Sequence, residues 1–283
     1  MRTIPWPDGG RAPVLGLGTW RFGESASHRA AEVAAVRTAL ELGVRLVDTA
    51  EMYGEGGAET VVGDALAQAL RAGTCTRDDV CVVSKAYPHH AGRRELPRAC
   101  ERSLQRLRLD HLDVYLLHWR GDVPLAETVE AMQRLRERGL IRRWGVSNFG
   151  VGDLDELLAA GGAACCTNQV YYSLGQRGVE FDLLPWQRER RMPLMAYCPL
   201  DQGERPRDPA LRPIAERHGA TPAQVALAWL LAQPGVIAIP KAVSAEHLQR
   251  NVDAAGLALT AADLAELDRL FPPPRAKRPL TIV

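Results

Sequence analysis

Short apolar runs alternate with longer amphipathic stretches eight times along this 283-residue chain. The runs Val14–Leu17, Val44–Val47, Val80–Ser84, Leu112–Leu117, Ile141–Val146, Cys165–Gln169, Pro193–Tyr197 and Val236–Ile239 read as strands. Between them helical spacing recurs over Ala30–Leu42, Glu59–Leu70, Arg94–Leu107, Leu125–Arg138, Gly152–Ala159, Phe181–Arg191, Pro222–Leu231 and Ala245–Ala254. Gly43, Gly139 and Gly219 supply stop signals. Thr260 reads as the N-cap of a last helix, Ala261–Leu270, which Pro272-Pro273-Pro274 ends. This alternation predicts an α/β fold whose parallel sheet closes into a (β/α)8 TIM barrel. An open doubly wound sheet would carry a phosphate fingerprint after its first strand. Here Gly16-Leu17-Gly18-Thr19-Trp20-Arg21 lacks the third glycine, and no G-x-x-x-x-G-K-[ST] loop occurs. With no linker or low-complexity segment, residues 1–283 read as a single domain.

Charge excludes some partners. The formal net charge is +1, so nothing points to nucleic acid or to an anionic membrane surface. No apolar stretch is long enough to span a bilayer, and Met1–Gly10 has no apolar signal core, so a cytoplasmic protein is expected. None of the six cysteines forms a C-x-x-C pair, and His89-His90 has no ligand-spaced cysteine or carboxylate, so no metal site is expected. Only three of 35 basic residues are lysine: Lys85, Lys241 and Lys277. In so arginine-rich a chain, a retained lysine suggests a task for a compact, tunable charge.

In a barrel, functional groups gather where strands end. The strand ends here are polar: Asp48, Ser84-Lys85, His118, Ser147-Asn148, Asn168-Gln169, Tyr197 and Pro240-Lys241. Asp48, Lys85 and His118, joined by Tyr53 from the glycine-rich turn after the second strand, suit reduction of a carbonyl. A phenol near its ordinary pKa of about 10 holds a proton to give. A neighbouring Lys85 ammonium is expected to lower that value. A buried Asp48 needs a partner, and Lys85 is the natural one. His118 orients the carbonyl or relays the proton. No G-x-S-x-G elbow is present.

The segments GLGTW, DTAEMYGEGGAE, VVSK, YLLHW, WGVSNF, TNQVYY, AYCPL and IPKAVSAEHLQRN, in register from Leu15 to Asn251, closely resemble the aldo-keto reductases. Among these the pattern looks most like small bacterial members of the methylglyoxal reductase type. The resemblance implies a barrel that binds NADPH without a Rossmann fold, and a tetrad of Asp48, Tyr53, Lys85 and His118 with Tyr53 as general acid. It places the nicotinamide carboxamide against Ser147, Asn148 and Gln169 and its ring against Tyr197. It also lays the pyrophosphate along Pro199, Leu200 and the loop to Gly203. Lys241 would hold the adenosine 2′-phosphate, and Asn251 would meet the adenine.

The adenosine end departs from the family pattern. Lys241-Ala242 stands where Lys-Ser is common, His247 where an arginine is common, and Arg250-Asn251 where Glu-Asn is common. A lost guanidinium fork removes bidentate phosphate bonds. Lys241 and Arg250 keep positive charge there, so a preference for NADPH over NADH is expected, though a smaller one. The substrate walls are expected from Trp20, Met52, Tyr87 and Trp119. Glu51 is expected to point outward into water. Short loops and a Pro-rich tail after Phe271 suggest a shallow pocket for small aldehydes and α-oxo-aldehydes. A monomer is expected. Two other readings compete: a nucleotide-binding regulatory protein with little turnover, and a Schiff-base barrel enzyme, which would need Lys85 free.

Overall fold

The computed structural model describes residues 1–283 as a closed (β/α)8 barrel. A hairpin, β1 (Thr3–Pro5) and β2 (Arg11–Pro13), precedes it. The staves are β3 (Leu17–Gly18), β4 (Leu46–Asp48), β5 (Cys81–Ala86), β6 (Leu112–Leu117), β7 (Ile141–Ser147), β8 (Cys165–Tyr171), β9 (Leu194–Tyr197) and β10 (Val236–Ala238). They pair in parallel in chain order. A parallel bridge between Leu15 and Ala238 closes the ring, with the Gly16 N–H donating to the Ala238 carbonyl at 2.9 Å.

The helices are α1 (Arg29–Glu41), α2 (Gly57–Arg71), α3 (Glu95–Leu107), α4 (Leu125–Glu137), α5 (Val151–Ala159), α6 (Leu183–Glu189), α7 (Arg212–Arg217), α8 (Pro222–Ala232), α9 (Ala245–Ala254) and α10 (Ala261–Leu270). The eight expected strands and nine expected helices are present, with boundaries shifted by a few residues. The hairpin and α7 are additions that periodicity did not reveal, because three- to six-residue elements carry too few apolar positions to show a period.

Two cores follow from the alternation of side chains along a strand. One set, including Val47, Val82, Tyr115, Leu117 and Ala196, faces the helices. The other, Leu46, Val83, Val114, Leu116, Cys166, Met195, Ile237 and Ile239, fills the barrel. Trp6 and Ala12 of the hairpin join this inner set and close the bottom of the barrel. The inner phase carries chemistry to the top. On β4, Leu46 points inward and so does Asp48. On β5, Val83 and Lys85 share that face. On β6, Val114 and Leu116 lead to His118.

β8 breaks the phase. Between Trp144 and Val146 of β7, β8 runs from Cys165 to Asn168, one residue more, a β-bulge. It lets Gln169, rather than Asn168, share the inward face with Ser147 and Met195. Gly145 makes room for it: a Cβ there would lie 2.5 Å from the Thr167 carbonyl oxygen.

Candidate active site

Asp48 and Lys85 meet on the barrel axis. Lys85 Nζ donates to Asp48 Oδ2 at 2.7 Å, to the Thr49 carbonyl at 3.0 Å and to Tyr53 Oη at 3.0 Å. Three donors and three acceptors leave no ammonium proton unmet. Lys85 is fully buried and Asp48 nearly so. Burial pushes Asp48 up and Lys85 down, each opposed by the other's charge. Gln169 Nε2 supports the pair by donating to Asp48 Oδ1 at 2.8 Å.

Tyr53 leaves the strand-like path in a tight turn. Gly54, Glu55 and Gly56 have φ of 56°, 49° and 87°, a left-handed run that two glycines make accessible. The turn brings the phenol back over Lys85, whose ammonium also sits 4.6 Å from the ring centre. Burial and the Asp48 carboxylate hold the phenol well above its ordinary value. The expected lowering by Lys85 is thus outweighed: removing the ring from water costs the phenolate more than the ammonium returns. Tyr53 therefore stays protonated at neutral pH. His118 stands edge-on to Tyr53 with 5.7 Å between ring centres. Burial and the Lys85 charge hold it well below the ordinary histidine range, so its ring is neutral. Its Nδ1 is sealed and has no hydrogen-bond partner.

A cavity of about 980 Å³ opens above this group. Asp48, Tyr53 and His118 line its floor, beside Trp20, Met52 and Trp119. Ser147, Asn148, Gln169 and Tyr197 form the next wall, and Pro199, Leu200, Lys241, His247, Arg250 and Asn251 continue it. Asn148 takes a left-handed φ of 60°. It donates to the His118 carbonyl at 3.1 Å and to Ser147 Oγ at 3.2 Å, and accepts from the Tyr197 hydroxyl at 2.9 Å. The loop after β9 is fastened by Asp201, which accepts from Tyr171 and Ser173 and pairs with Arg205 at 2.8 Å.

Four sequence expectations need correction. Tyr87 does not line the cavity: its hydroxyl donates to Glu55 at 2.9 Å and its ring stacks on His89 and meets Trp119 edge-on. Glu51 is not solvated but 5% exposed, and accepts from the Tyr87 N–H at 2.6 Å. Arg250 is not a free charge, since Glu246 pairs with it at 2.6 Å on the same helix. The tail after Phe271 does not leave the pocket shallow. It folds back, with Lys277 on Asp182 at 2.9 Å and the Thr281 hydroxyl on Gln176 at 3.2 Å, and sets Ile282 and Val283 into the cavity wall.

Arg21 and Arg207 also line the cavity and were missed. Their signal was their place, just past the first strand and in the loop after the seventh. Neither they nor Lys241 pair with a carboxylate, and the sole acidic side chain in the lining is Asp48, already held by Lys85. A long cavity with unpaired cationic side chains along it and no unpaired acidic one is a receptor for a multiply charged anion. At its floor a carboxamide would find Ser147, Asn148 and Gln169, and a flat ring would find Tyr197. These groups fit a phosphorylated nicotinamide dinucleotide.

The family model for the aldo/keto reductase family matches residues 14–271. Methylglyoxal reductase YeaE of Escherichia coli is 50% identical over 277 residues, covering 96% of this chain and 95% of that protein. A crystal structure of an aldo/keto reductase from Klebsiella pneumoniae with NADP and acetate superposes at a TM-score of 0.92. It shares 50% identity and covers 99% of each chain. A second Klebsiella pneumoniae structure, with NADPH, gives 0.92 and 50% over 100% of this chain and 99% of that one.

Proposed function

We propose, for a chain that belongs to the aldo/keto reductase family, the NADPH-dependent reduction of small aldehydes and α-oxo-aldehydes, methylglyoxal among them, to alcohols. The observation that carries this reading is the Tyr53 phenol, 3.0 Å from the Lys85 ammonium, facing a cavity whose unpaired charged side chains are all cationic. Reduced nicotinamide supplies the hydride when bound. Ser147, Asn148 and Gln169 would orient its carboxamide and Tyr197 its ring. Pro199, Leu200, Arg21 and Arg207 lie along the phosphates' path, with Lys241, His247, Arg250 and Asn251 at the adenosine end.

The residues divide the remaining work. Trp20, Met52, Trp119, Ile282 and Val283 enclose a small carbonyl compound and exclude water. Neutral His118 offers a hydrogen bond that orients the carbonyl oxygen without taking its proton. Tyr53 gives that oxygen its proton as the carbon accepts hydride. The phenolate left behind is stabilised by the ammonium already in place, which needs no reorganisation. Residues 1–283 act as one domain in this reading, as a cytoplasmic monomer. No helix is long and apolar enough to cross a membrane, and the near-neutral charge gives nucleic acid no footing.

The test is NADPH oxidation with methylglyoxal and a panel of aldehydes, repeated with NADH. Turnover with NADPH and weak turnover with NADH are expected. A folded protein that binds NADPH but reduces none of the panel would sink the reading. Lys241 decides the cofactor preference. Losing one charge-assisted phosphate contact costs about 1.5–3 kcal/mol, so Lys241→Ala is expected to raise the KM for NADPH by about 10- to 150-fold. The KM for NADH, which has no 2′-phosphate, should stay put. Equal losses for both cofactors would place Lys241 elsewhere on the dinucleotide.

A further inference from the structure

We propose that Glu51 is a positioning residue for Tyr53. Its buried carboxylate, with that of Glu55, bolts the turn that carries the phenol to the segment continuing the Lys85 strand. The proposal rests on the reductase reading above.

The β4–β5 ladder does not stop at Asp48. The Thr49 N–H donates to the Val83 carbonyl at 2.9 Å, and the Glu51 N–H to the Lys85 carbonyl at 3.3 Å. At the next rung the chain has turned away and offers no backbone acceptor. The Glu51 side chain takes that place: the Tyr87 N–H donates to its Oε1 at 2.6 Å. His90 Nδ1 lies 2.9 Å from the same oxygen, and the Arg102 guanidinium 3.9 Å from the other. A carboxylate only 5% exposed is thus held on both oxygens.

Four residues on, Glu55 accepts from the Tyr87 hydroxyl at 2.9 Å. Tyr87 is therefore gripped at its backbone and at its far end by two carboxylates that bracket Tyr53, two residues to either side. The turn needs such ties. Three consecutive left-handed residues, one of them a glutamate, persist only when surrounding contacts over-determine them. The phenol adds one link of its own, the 3.0 Å bond from Lys85. Both sides of the bolt thus belong to the reacting group: one carries Tyr53, the other extends the strand that carries Lys85. The same bolt holds Tyr87 edge-on to Trp119 at the cavity wall.

The experiment compares wild type, Glu51→Gln, Glu51→Ala and Tyr87→Phe. Steady-state kinetics with NADPH and methylglyoxal are run beside NADPH binding by fluorescence and the primary isotope effect with 4-deuterated NADPH. A misplacement near 1 Å costs on the order of 10²-fold, so Glu51→Ala is expected to lower kcat by about that much. Its NADPH affinity should hold within about twofold, and the isotope effect should rise as chemistry becomes limiting. Glu51→Gln retains an oxygen for the Tyr87 N–H and should keep most of the activity. Tyr87→Phe loses the Glu55 bond alone and should fall between.

Wild-type kcat in Glu51→Ala overturns the proposal. So does a matched loss of cofactor affinity and melting temperature in Glu51→Ala and Glu51→Gln, which would make the carboxylate a prop for the whole fold. If Glu51→Ala does not fold, Tyr87→Phe decides, since unchanged kcat and isotope effect there overturn the bolt. An inactive wild type would instead sink the reductase reading. Crystals of Glu51→Ala, or of Tyr87→Phe if that alone folds, then decide the positioning: a Tyr53–Lys85 separation kept at 3.0 Å overturns it, a widened one supports it.

Discussion

Tyr53→Phe is expected to lower kcat by about 10²- to 10⁴-fold, the range that a positioned proton donor contributes. NADPH should bind as before, because the change removes one oxygen from the cavity floor and leaves the ring in place. Stability should fall by about 1–3 kcal/mol, since the buried ammonium keeps Asp48 and the Thr49 carbonyl but one of its protons loses its acceptor. The pH profile of reduction is the companion measurement. Burial and Asp48 raise the phenol above its ordinary value. Its donating form is therefore fully present at lower pH and lost only as pH rises through the folded value. Reduction should run flat to at least about pH 9, one unit under the ordinary phenol value, before falling. Full activity in Tyr53→Phe, or a fall already at neutral pH, would assign the proton to another group.

Lys85→Met should damage stability as much as turnover. It strips Asp48, 2% exposed, of its one ion-pair partner. Removing one member of a buried pair costs about 3–5 kcal/mol, because the remaining charge is neither solvated nor matched. The denaturant midpoint should fall accordingly. Asp48→Asn combined with Lys85→Met removes both charges and should recover most of that stability, while kcat stays low for want of a cation beside the phenol. Rescue of stability without rescue of rate separates the pair's two roles. A single variant as stable as wild type would show that Asp48 takes up a proton at small cost.

Much of this was readable in the residues because a barrel turns sequence position into spatial position. A polar residue that ends an apolar run must face the top of the barrel or be buried at a loss. Asp48, Lys85 and His118 stood out for that reason, and the rarity of lysine sharpened Lys85. Position along the chain says less about loops. Tyr87 is two residues past Lys85 and still misses the cavity, because Glu51 and Glu55 draw it sideways. Glu51 looked like a surface acid because its partners lie about forty residues on in the sequence. Ile282 and Val283 reach the pocket only through the path of the tail, set by contacts with Tyr197, Gln176 and Asp182 that no local pattern encodes. The direction of the Tyr53 shift was also hidden, since it depends on how completely the ring is closed off from water.

The bulge in β8 makes the cavity wall depend on counting as well as on chemistry. A strand has two facings only, so one inserted residue reverses the parity of everything after it. Upstream of the bulge, Cys166 points into the barrel; downstream, Gln169 does, three residues on rather than two or four. Exchange of one side chain for another near Thr167 leaves that parity intact. Loss of a single residue there would remove the bulge and leave Gln169 opposite Ser147. Gain of one would not: it would send Gln169 toward the helices and bring Asn168 to the axis, one methylene short of Asp48. In this stretch the chain should accept changes of letter far more readily than added length.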